Sequence, residues 1–143
     1  MRLADGEVKG FQDMEGSDPS QEILLSGGRI TDGVVRVANT VRRPGSTASP
    51  FVRSLLNHLE TKGCSVAPHY LGTDEQGRDI LTYISGSVGN WQFYPDKTIR
   101  LAGRLLRAFH EATVGCELLF EKPVMCHHDP GPNNARIIWE CQV

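Results

Sequence analysis

Short bursts of apolar residues fill the front of the chain, and the pattern switches to helical spacing twice. Residues 22–25, Glu-Ile-Leu-Leu, read as a first short strand ending at a Ser26-Gly27-Gly28 turn. Two β-rich runs, 34–37 and 40–44, flank Ala38-Asn39 and predict a hairpin, with Pro44 closing its second strand because it has no N–H to give a ladder. Residues 67–72 and 79–84 predict another strand pair across the turn Thr73-Asp74-Glu75-Gln76-Gly77-Arg78. Between these pairs Phe51, Val52, Leu55, Leu56 and Leu59 recur at helical spacing. Ser49 offers a capping hydroxyl, Pro50 suits a first turn and Gly63 a stop, so a helix is expected over 49–62. Further on, Ile99, Ala102, Leu105, Leu106 and Phe109 make one stripe, expected to be core, on a helix capped by Asp96 and ending near Gly115. Ile137-Ile138-Trp139 is a last short strand.

The order is strands, helix, strands, hinge, helix, polar loop, strand, an α+β plan with its sheet at the front. Residues 1–20 are polar and acidic with no apolar period, and read as a flexible tail. Ser85-Gly86-Ser87-Val88-Gly89-Asn90 is the most linker-like stretch inside the folded part. A boundary placed there gives a β-rich unit over 21–86 and a more helical one over 87–143.

Composition narrows the classes. A chain of 143 residues can bury one ordinary core, and 39% hydrophobic with 22% charged residues is near the globular average. A net charge of -2 argues against general nucleic-acid binding, which needs a basic surface. No run is long or apolar enough for a bilayer span, and the first residues lack the apolar core of a signal peptide, so no membrane and a cytoplasmic location are the expectations. Cys64, Cys116, Cys126 and Cys141 form no CxxC pair and read as reduced thiols.

The chemistry concentrates in 126–134, Cys-His-His-Asp-Pro-Gly-Pro-Asn-Asn, which contains His127-x-Asp129-x-x-x-x-Asn134. Phosphoryl transfer to a hydroxyl needs a carboxylate to orient the alcohol and take its proton, and oxygen ligands for magnesium. A loop carrying Asp and Asn a few residues apart can point both at one site, and Pro130 and Pro132 stiffen it.

This loop is similar to the catalytic loop of the aminoglycoside phosphotransferase and choline kinase-like family. Residues 33–37 with 40–44 look like that family's nucleotide-lobe hairpin, and 105–112 resembles the helix ahead of its catalytic loop. The resemblance implies a protein-kinase-like fold: an antiparallel β-rich N-lobe with one packed helix, then a partial helical C-lobe. It implies ATP or GTP and Mg2+ as cofactors and transfer of the γ-phosphoryl to a hydroxyl of a small molecule. Asp129 would be the catalytic base, His127 a brace, and Asn134 a magnesium ligand. Arg42 or Arg43 would contact phosphate, and Ile84 and Gly86 would line the nucleotide hinge. Only Ala135 to Val143 follow the loop, with Glu140 but no Asp to hold the metal. The expectation is therefore a truncated, inactive copy. The alternative is a non-catalytic remnant that binds nucleotide weakly or associates with a partner, including itself, through exposed apolar surface.

Blander readings stand beside these. Asp129 and Asn134 can cap local N–H groups in a proline-rich turn. Cys126, His127, His128 and Asp129 can hold zinc only with help from distant Cys116 or Cys141. Arg42 and Arg43 can be a solvated strand end, His110 a core-edge histidine, and Trp91, Phe93 and Tyr94 packing residues.

Overall fold

The computed structural model describes residues 20–25, 31–88, 95–119, 122, 125, 126, 136 and 137. Its elements are β1 (Ile23–Leu24), β2 (Val35–Val37), β3 (Thr40–Arg43), α1 (Ser49–Thr61), β4 (Tyr70–Thr73), β5 (Asp79–Thr82), β6 (Ser87–Val88), α2 (Asp96–Thr113), a 3-10 turn (Glu117–Leu119) and β7 (Arg136–Ile137). The first five strands form one antiparallel sheet in the order β1-β2-β3-β5-β4, and β6 pairs with β7 in a second, two-stranded one. The α+β plan with its main sheet at the front is the architecture of the molecule.

Local chemistry explains each piece of the sheet. Val37 and Thr40 pair across the two-residue loop Ala38-Asn39, where Ala38 takes φ 50°. That positive φ at the first loop position supplies the twist a tight hairpin needs. Across the other turn, Asp74 Oδ1 accepts from the Gln76 and Arg78 backbone N–H groups, and Gly77 takes φ 77°. The expected strand ends move inward: β4 starts at Tyr70, and β5 stops at Thr82.

Both helices start differently from the sequence expectation. Ala48 holds the N-cap position of α1, and the Ser49 hydroxyl instead accepts the Ser46 N–H at 2.9 Å while lying buried. Pro95 precedes α2, so Asp96 sits inside the first turn, where its charge favours the helix dipole without capping an N–H. Gly63 and Gly115, at φ 66° and 67°, end the helices as expected.

Leu56 and Leu59 of α1 form the small core with Val35, Phe109, Cys116 and Leu119. The helices are also joined through polar atoms: His58 Nε2 lies 2.9 Å from the Ala112 carbonyl oxygen. The apolar stripe of α2 is only partly core. Phe109 is 8% exposed, but Leu105 is 47% and Ile99 59% exposed, and Ala102 is open as well. Periodicity announces an apolar face; whether anything covers it depends on the partner element, and α1 meets α2 at its C-terminal turns.

Candidate functional site

Three features of the described residues have chemical content. The first is an ion cluster on the sheet surface. Arg78 donates from Nη2 to Glu22 Oε1 at 2.6 Å and from Nε to Asp74 Oδ2 at 2.8 Å, while Arg42 Nε lies 3.7 Å from Asp74 Oδ2. The Arg78 hydrogen bond holds the Glu22 carboxyl below its ordinary value. Burial works to raise the Asp74 carboxyl, but the backbone N–H and guanidinium of Arg78 outweigh it and the net shift is downward. Arg78 in turn is pushed upward, by Glu22 first and Asp74 next. With every charge answered, the cluster ties β1 to the β4–β5 turn.

The second is the pair Arg53–Asp79, which ties α1 to β5. Arg53 Nε donates to Asp79 Oδ1 at 2.6 Å, and the Asp79 side chain is only 6% exposed. A carboxylate so enclosed requires its cation.

The third is concave. A groove of about 340 Å3 opens between α1, the sheet and the end of α2. Phe51, Val52 and Leu55 of α1 face Leu81 of β5 and Phe109 of α2, with Leu59 deeper, and Met125 and Cys126 close one side. Arg43 is the one charged side chain among the described lining residues. A wider depression of about 420 Å3 runs along the outer side of α2 past Arg100, Arg104 and Arg107. Among the described residues only α2 lines it, whereas the described lining of the groove comes from α1, the sheet and α2.

The residues singled out from sequence fall unevenly on this geometry. Arg42 is engaged with Asp74 and also donates to Thr40 Oγ1 at 2.6 Å. Arg43, the next residue on β3, is exposed at the rim of the groove. Ile84 is half-buried and Gly86 exposed, both just past β5. His127, Asp129 and Asn134 lie outside the described residues, as do Trp91, Phe93 and Tyr94. Cys64, Cys116 and Cys126 are free thiols, and among the described residues no three His, Cys, Asp or Glu side chains gather as a metal site. No described helix is long and apolar enough to cross a membrane.

Comparison with known proteins finds a relative named trifolitoxin immunity protein, from Rhizobium leguminosarum bv. trifolii. It is 38% identical over 96 residues, which cover 66% of this chain and 36% of the relative. The chain thus spans about a third of the length of the curated relative it matches. No family model and no solved structure matches the chain. The phosphotransferase resemblance is overturned. The relative's name is that of an immunity protein, so the kinase-type family and γ-phosphoryl transfer to a small alcohol are set aside, active or truncated. The reason lies in the motif itself: three fixed letters in a proline-rich loop recur by accident, and a hairpin followed by an amphipathic helix is common to many α+β folds. The expectation of ATP or GTP and Mg2+ rested on that resemblance and on the Asp129 and Asn134 loop, which lies outside the described residues.

Proposed function

We propose that this chain serves in immunity to a toxin of the trifolitoxin kind. The observation that carries this reading is the 38% identity to the trifolitoxin immunity protein over 96 residues. At that identity, over a stretch longer than the whole β-rich unit, shared ancestry is the simplest account, and a shared role follows as the first reading. The surface favours action by association. Leu101 and Leu105, one turn apart on α2, are exposed together, and the groove beside α1 presents an apolar interior. An apolar groove beside an open apolar helix face offers another molecule a place to sit.

The test is protection. A trifolitoxin-sensitive bacterium that accumulates this chain in folded form is expected to grow at toxin doses that stop the same strain carrying an empty vector. Equal killing of both strains, with the folded chain shown to be present, overturns the reading.

A further inference from the structure

We propose that the groove between α1 and the sheet is a binding site for a small amphiphilic carboxylate, whose apolar body lies against α1 and whose anionic end meets Arg43. This inference does not rest on the immunity reading.

Three observations carry it. The interior is apolar on opposing sides: Val52 and Leu55 come from α1, Leu81 from the sheet and Phe109 from α2. A space with two walls removes both faces of a flat apolar ligand from water, which a single helix face cannot do. The volume, about 340 Å3, is roughly twice that of a protein cavity known to hold benzene, so the body it suits is about two fused rings or a comparable aliphatic chain. The third observation is charge. Arg36, Arg42, Arg53, Arg78 and Arg107 each engage a described oxygen atom. The Arg43 guanidinium meets no hydrogen-bonding or charged side chain among the described residues, and Arg43 lies at the groove. A guanidinium presents a planar fork of donors that matches a carboxylate in two parallel hydrogen bonds. An apolar slot ending at such a fork selects a ligand with a greasy body and one acidic end.

The experiment uses the full chain and two probes of equal shape, 2-naphthoate and neutral 2-naphthamide, titrated calorimetrically. The naphthoate is expected to bind roughly tenfold more tightly than the amide, the difference a charge-assisted hydrogen bond supplies. Arg43→Gln, an exposed position that the fold does not depend on, should bring naphthoate down to the affinity of the amide. Arg100→Gln on the outer side of α2 should change neither. Because Cys126 lines the groove, bound naphthoate should also slow its alkylation by iodoacetamide. The proposal is overturned if acid and amide bind equally, if Arg43→Gln leaves the naphthoate affinity unchanged, or if neither probe binds.

Discussion

At the scale of single residues, polar side chains with several partners fix the joints between elements. Asp74 accepts from Arg78 and Gln76 in its own turn and faces Arg42 on β3. Its folded-state carboxyl titrates below the ordinary value near 3.8, so the stability it contributes is present above that value and is lost as pH falls through the lower, folded one. Glu22 behaves in the same sense through Arg78. Urea midpoints measured from pH 7 down to pH 2.5 should therefore drop steeply on the acid side for the natural chain, and less steeply for Asp74→Asn. Parallel curves would show that the cluster contributes nothing to acid sensitivity. Thr113 is fully buried: its hydroxyl lies 3.0 Å from the His110 carbonyl oxygen and accepts the Met125 N–H at 3.1 Å. Thr113→Val keeps the shape and strands that N–H, at an expected cost of about 1–3 kcal/mol in denaturant unfolding. A neutral result would mean that Met125 is not held there.

At the scale of elements, α2 divides into a packed half and an open half. Phe109→Ala should cost about 3–5 kcal/mol, while Leu105→Ala, four residues earlier on the same stripe, should cost under about 1 kcal/mol. Thermal or urea unfolding of the two variants checks this, and equal losses would mean that the first half of the helix is covered after all. The same stripe shows what a sequence conveys. The hairpin around Ala38-Asn39, the helix through Leu56 and Leu59 and the stops at Gly63 and Gly115 were legible because neighbouring residues determine them. Helix starts were legible only to within a residue, since Ser49 and Asp96 have the chemistry of caps but Ala48 and Pro95 occupy those positions. The exposure of Ile99 and Leu105 was not legible, because it depends on where α1 ends up. The Arg78–Glu22 bond spans 56 positions and leaves no local trace. The groove, too, was invisible in the sequence, its walls coming from α1, β5, α2 and residue 125. Of its lining residues the sequence marks Arg43 for a phosphate contact, Cys126 for zinc, and Phe51, Val52, Leu55, Leu56, Leu59 and Phe109 only as apolar helix stripes.

At the scale of the whole molecule, a five-stranded antiparallel sheet carries one helix against it and a second helix docked by its last turns. A short Asp and Asn pattern in a proline-rich loop pointed to phosphoryl transfer, and the likeness over 96 residues points elsewhere. The longer likeness outweighs three letters, because chance reproduces a sparse motif far more easily than an extended one. The most direct measurement is replacement within the relative. A chimera in which the matching part of this chain takes the place of the corresponding region of the trifolitoxin immunity protein is expressed in a sensitive host, and growth is followed across a series of toxin doses. The account predicts survival at doses close to those the unaltered immunity protein withstands. Killing at the dose that kills the unprotected host, with the chimera present as soluble, folded protein, would contradict it.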